Sequence, residues 1–173
     1  DIAYFQAETD FTSFLDMLYE NMEHWTIYIS TYDEYTNSML PEEYALLERL
    51  GLELIDGGNF HDGYAAVIDN GEVVYEGVSN RGASWSGNIN GHDVYVAGSG
   101  FSYASADSEI SIDGEDYSLM KRGLNFVIWD NESDMPLLNV CFDTYSDTKT
   151  RYKNDDDVER FLDEYTQWVC GDD

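Results

Sequence analysis

Asp130-Asn131-Glu132-Ser133-Asp134 sets carboxylates at alternate positions, the pattern by which a loop offers oxygen ligands to calcium. Such a loop also needs glycine at its sixth position for the sharp turn and a bidentate Glu at its twelfth. Met135 and Cys141 stand there instead, so the stretch reads as a solvated hairpin turn without a metal. His24, His61 and His92 form no H-E-x-x-H or i, i+4 pair, which leaves zinc without a ligand pattern. Ser99, within Gly-Ser-Gly, and Ser102 lack the G-x-S-x-G elbow that presents a nucleophile, and no glycine-rich phosphate loop occurs. Among 36 Asp and Glu residues a carboxylate pair at glycosidase spacing is expected from numbers alone. Catalysis is therefore the minority reading, and no cofactor is implied.

The aromatic residues point elsewhere. Tyr28, Tyr32, Tyr35, Tyr64, Tyr75, Trp85 and Trp129 lie in or beside strand-like segments, and alternation directs several of them outward. A flat exposed ring beside Asp, Asn or Arg is what stacking on a sugar and bonding its hydroxyls requires. For any single ring, packing in the core is the better expectation.

Composition limits the partners. The 173 residues, 43% of them hydrophobic and 15% aromatic, suffice for one substantial core. Eight Lys and Arg against 36 acids give a formal charge of −28, a field that repels phosphate backbones and anionic membranes. Nucleic acid is disfavoured as a partner. No apolar run reaches the length of a membrane span, and residues 1–3 carry no basic or hydrophobic leader, so the expectation is a soluble chain from which any signal peptide has been removed. Many carboxylates, 14 Tyr and numerous Asn suit a secreted or surface protein. Cys141 and Cys170 fit either one disulfide or two buried thiols.

The elements that must position these residues follow from periodicity. Phe11, Leu15, Leu18 and Met22 recur at helical spacing behind Asp10 and Thr12, predicting a helix over 11–23. Residues 25–31 alternate as a strand. Pro41, Glu42 and Glu43 open a second helix that Gly51 stops. Strands at 64–68 and 73–76 flank Asn70-Gly71, a tight-turn signal. Shorter strands are predicted at 93–97, 109–112 and 117–120, then at 124–129 and 137–142, and a third helix around Val158 to Val169. Residues 79–91 read as a turn-rich seam. Strands in hairpins predict antiparallel sheets with flanking helices, an α+β fold.

Four blocks of sequence carry a resemblance. Residues 121–130 with Val140-Cys141-Phe142-Asp143-Thr144-Tyr145 resemble the "RGxNxVVxD…FDTY" signature of the interleukin-like EMT inducer (ILEI) domain, also called the GG domain. Ile110 to Leu119 looks like the strand pair before it. Thr31-Tyr32-Asp33-Glu34 with Glu43 to Gly51 resembles the family's "SYDE…LxxLGS" block, and Asn59 to Ala65 resembles "GFRDxWAFxG". The family places the last two blocks after the first two; here they precede them. The resemblance thus implies one circularly permuted domain over 1–173, with the alternative that 1–80 ends one domain and 92–173 begins a second. It further implies a β-sandwich-like core of antiparallel or mixed sheets flanked by about three helices, in a non-catalytic extracellular or cell-surface module that binds a glycan or glycoprotein and can be part of a larger parent protein. A protein-interaction or assembly module is the alternative, and a glycoside hydrolase a distant third. The ligand-binding residues implied are Asp33, His61, Asp62 and Tyr64. His61 replaces the family's Arg and Tyr64 its Trp, which changes the donors on offer.

Overall fold

A computed structural model describes residues 10–103, 105–146 and 151–153. Helix α1 (Phe11–Asn21) begins at Asp10, whose carboxylate accepts the Ser13 N–H at 2.8 Å, a cap worth about 1 kcal/mol. That hydrogen bond also holds the Asp10 carboxyl below its ordinary range. The helix buries Phe11, Phe14, Leu15, Met17 and Leu18 along one stripe. Helix α2 (Pro41–Glu48) starts on Pro41, and Glu43 reaches back to the Leu40 N–H at 2.8 Å. Gly51, with φ of 103°, takes the left-handed conformation that ends it. Arg49 ties the two helices, with Nη2 2.6 Å from Asp16 and its guanidinium 4.0 Å above the Tyr19 ring.

Ten strands make two sheets among the described residues. They are β1 (Trp25–Tyr32), β2 (Gly63–Asp69), β3 (Glu72–Ser79), β4 (Ala83–Ile89), β5 (His92–Gly98), β6 (Glu109–Ile112), β7 (Glu115–Asp116), β8 (Gly123–Asp130), β9 (Met135–Phe142) and β10 (Arg151–Lys153). Six run in the order β10-β9-β8-β1-β2-β3 and four in the order β4-β5-β6-β7, with antiparallel pairing throughout. β1 lies between β2 and β8, Ile27 opposite both Ile68 and Ile128. Residues 25–32 and 123–130, distant in sequence, therefore share one sheet. Alternation divides the buried side chains between two cores. Ile27, Ile29, Tyr64, Ile68, Phe126 and Ile128 face α1 and α2. Tyr28, Val67, Val127 and Trp129 meet Val94, Val96, Ile110 and Ile112 of the smaller sheet. The fold is α+β with a β-sandwich-like core.

Several expectations need correction. The seam at 79–91 contains β4, whose Ser84, Ser86 and Asn88 are exposed while Ala83 and Ile89 are buried, and Asn90-Gly91 turns it into β5 with φ of 52° and 90°. The strand predicted at 117–120 is not formed. Its place is taken by the two-residue β7, after which Asp116 accepts the Ile110 and Ser118 N–H groups at 3.1 and 2.9 Å and Met120 turns to φ of 55°. Among the described residues all pairings are antiparallel and two helices flank the core; the third expected helix and Cys170 lie outside the described residues. Cys141 is buried on β9, and burial pushes its thiol up.

The two sheets are pinned at one end by His92. Its Nδ1 is 2.6 Å from Asp113, in the β6–β7 turn, and its Nε2 2.6 Å from Asp134, in the β8–β9 turn, with the Trp129 ring 5.0 Å away. Both nitrogens can donate only when the ring is protonated. The hydrogen bonds to Asp113 and Asp134 raise His92 above its ordinary 6.5, and the same bonds hold both carboxyls below 3.8. The imidazolium's contribution is complete below the unfolded value near 6.5 and fades as pH rises through the higher folded one. The carboxylates' contribution is complete above about 3.8 and fades as pH falls through their lower folded values. The clamp is thus fullest in the weakly acidic range. His92→Gln is expected to lower the urea midpoint more at about pH 5.5 than at about pH 8.5. A difference that stays constant or grows with pH contradicts the clamp.

Candidate functional site

The opposite end of the sandwich gathers the C-terminal ends of β1 and β5, the start of β2 and the start of β8. Thr31, wholly buried on β1, organises this end. Its hydroxyl accepts the Tyr64 N–H at 2.8 Å and lies within hydrogen-bond distance of the Tyr64 and Ser99 carbonyls, at 3.2 and 3.0 Å. Its own carbonyl accepts from Ser99 N at 3.0 Å and from the Ser108 hydroxyl at 2.6 Å. Segment 99–103 continues alongside, with Phe101 N donating to the Asp33 carbonyl at 2.7 Å and Ser102 N to that of His61 at 3.2 Å. Gly100 permits this approach, because a Cβ there would overlap the His61 carbonyl oxygen.

The result is an open cleft of about 220 Å³ lined by Tyr32, Asp33, Ser99, Gly100 and Phe101. Phe101 is 63% exposed and Tyr32 43%. Phe60, 52% exposed, extends the apolar surface through His61: its ring centroid is 3.6 Å from the imidazole, which lies 5.0 Å from Phe101. Tyr103, beyond Phe101 in the same segment, is also exposed. A larger hollow of about 340 Å³ beside α2, lined by Met39, Pro41, Tyr44, Ala45, Glu48 and Asp56, lacks this run of exposed rings.

The four residues expected from the sequence share this end but play unequal parts. Asp33 lines the cleft in a left-handed conformation, φ 66°, and His61 stands at its edge with φ 71°. Such a conformation costs a non-glycine residue about 1 kcal/mol and persists where surrounding contacts fix it. Here Glu34 does so. Its carboxylate, 1% exposed, accepts the His61 backbone N–H, and its other oxygen takes the Thr36 N–H and hydroxyl at 2.6 and 2.7 Å. The His61 Nδ1 lies 3.0 Å from a Glu34 carboxylate oxygen but off the line of a hydrogen bond. Asp62 is buried and accepts the Asn59 N–H at 2.8 Å, bracing the turn that carries Phe60 and His61.

Tyr64 does not present the apolar face expected of it. Its ring is wholly buried among the residues facing the helices, 5.8 Å from Tyr35, and its hydroxyl donates to Glu76 at 2.7 Å. Burial raises its phenol well above the ordinary value, with the Glu76 carboxylate adding to the effect. The same holds more widely: of the seven rings considered for outward display, Tyr32 alone is exposed, while Tyr28, Tyr35, Tyr64 and Trp129 are buried and Tyr75 and Trp85 are half-buried against the core between the sheets. The exposed rings that join Tyr32 at this site are Phe60, in the turn before β2, and Phe101, at the start of a short 3-10 turn, and neither belongs to a strand. Arg122, just before β8, is committed to Asp143 through two hydrogen bonds of 3.0 and 2.7 Å and lies 4.4 Å over the Tyr145 ring. No family model, curated protein or solved structure matches the chain.

Proposed function

We propose that the protein is a non-catalytic carbohydrate-binding module of a secreted or cell-surface protein, and that the Tyr32–Asp33–Phe101 cleft is its sugar site. The observation that carries this reading is the pairing of exposed ring faces with an acceptor carboxylate at the end of a fixed scaffold. Sugars offer apolar C–H faces to rings and hydroxyl donors to carboxylates. Two further features support it. The Thr31–Glu34 and Asn59–Ala65 blocks of the ILEI-type resemblance meet here through the Glu34–His61 contact. The pairing of β1 with β8 is what a permuted single domain of that family requires. Loop ends on a rigid sandwich are also where recognition residues are usually carried.

A single sugar in so open a cleft gains little per hydrogen bond exchanged with water, so useful affinity comes from repeated units or from a linked second module. In a titration calorimeter, glycan oligomers selected on an array are expected to lose about tenfold in affinity on Phe101→Ala, with the fold unchanged. Silence across a broad array, together with binding of a protein partner that Phe101→Ala abolishes, shifts the reading to an interaction module.

A further inference from the structure

We infer that the glycan at this cleft is cationic, a polymer of amino sugars carrying unacetylated amines; the inference rests on the sugar-binding reading and narrows it. Asp33 lines the cleft together with the exposed rings of Tyr32 and Phe101. A carboxylate flanked by ring faces suits an ammonium group, which pairs with the former and is attracted by the latter. The Glu34 and Asp62 carboxylates lie buried in the turns that carry Asp33 and His61, accepting the His61 and Asn59 N–H groups. Arg122 is paired with Asp143 through two hydrogen bonds and stacked on Tyr145, which leaves less of its guanidinium for the carboxylate of a uronic acid. The net charge of −28 acts in the same direction, concentrating polycations and repelling sulfated or carboxylated glycans.

Glucosamine oligomers, their N-acetylated counterparts of equal length and glucuronate oligomers distinguish the possibilities, titrated into wild type, Asp33→Asn and Glu20→Gln. Glu20 is exposed on α1, and its substitution removes the same charge away from the cleft. The amine oligomer is expected to bind about tenfold more tightly than the acetylated one, and Asp33→Asn to erase most of that margin while Glu20→Gln leaves it. Backbone amide shifts should centre on Tyr32, Asp33 and Phe101. Equal binding of amine and acetylated oligomers overturns the inference and leaves the sugar-binding reading standing. Equal losses in the two variants, or tighter binding of oligolysine at the same residues, also overturn it, as non-specific attraction or basic-peptide recognition. Binding of none of the three oligomers overturns the inference, and the sugar-binding reading is then decided by the broad array.

Discussion

Gly98→Ala is expected to destabilise the protein by at least about 3 kcal/mol, the upper end of what overpacking costs. Gly98 closes β5 where the two sheets converge. A Cβ there would overlap the Tyr64 carbonyl oxygen and stand 2.9 Å from the Thr31 nitrogen. Both are backbone atoms of central strands, so neither can rotate aside, and relief requires the sheets to part. Gly63 lies across the same gap, where its own Cβ would overlap the Gly98 carbonyl oxygen. Parting the sheets also strains the Thr31 hydrogen bonds that hold segment 99–103, so the cleft should loosen in any fraction that folds. Urea denaturation followed by circular dichroism reads the first effect. Gly57→Ala is the control: nothing lies within 4 Å of its added Cβ, and the midpoint should move by less than about 0.5 kcal/mol equivalent. Matching midpoints for the two variants contradict the close approach of the sheets.

Phe14→Ala should cost about 3–5 kcal/mol, the range for removing a buried ring. Phe14 is wholly buried, with its centroid 4.9 Å from Phe126 on β8 and 5.1 Å from Phe142 on β9; Phe11 packs 5.0 Å from Phe142. This cluster fastens α1 to the far strands of the large sheet, so the vacated volume opens between layers that backbone hydrogen bonds do not join. The substitution should also flatten the near-ultraviolet dichroism of the packed rings. A loss below about 1 kcal/mol contradicts the docking of α1 as part of the main core.

Much of this architecture is legible where local chemistry and tertiary position agree. The Asp10 cap and the apolar stripe behind it marked α1, and Asn70-Gly71 marked the β2–β3 hairpin, whose φ angles of 50° and 81° are those a tight turn uses. Pairing of β1 with β8 is not written in any local period, because the two strands are distant in the sequence. β4 was hidden because Ser, Gly and Asn dominate it, although its exposed Ser84, Ser86 and Asn88 keep a period of two. Tyr64 misled because alternation distinguishes two faces without revealing that both are covered. Phe60 and Phe101 were missed because neither belongs to a periodic segment. A bulky ring among turn residues, as in Gly98-Ser99-Gly100-Phe101, was the only signal they gave.

Where a glycan touches the molecule tests this cleft most directly. Titrating an array-selected oligosaccharide into isotopically labelled protein should shift the amides of Tyr32, Asp33, His61, Gly100 and Phe101 and leave the His92 end unmoved, and Phe101→Ala should suppress those shifts. Shifts that cluster at the His92 end or beside α2, or that persist unchanged in Phe101→Ala, contradict the assignment of this cleft as the sugar site.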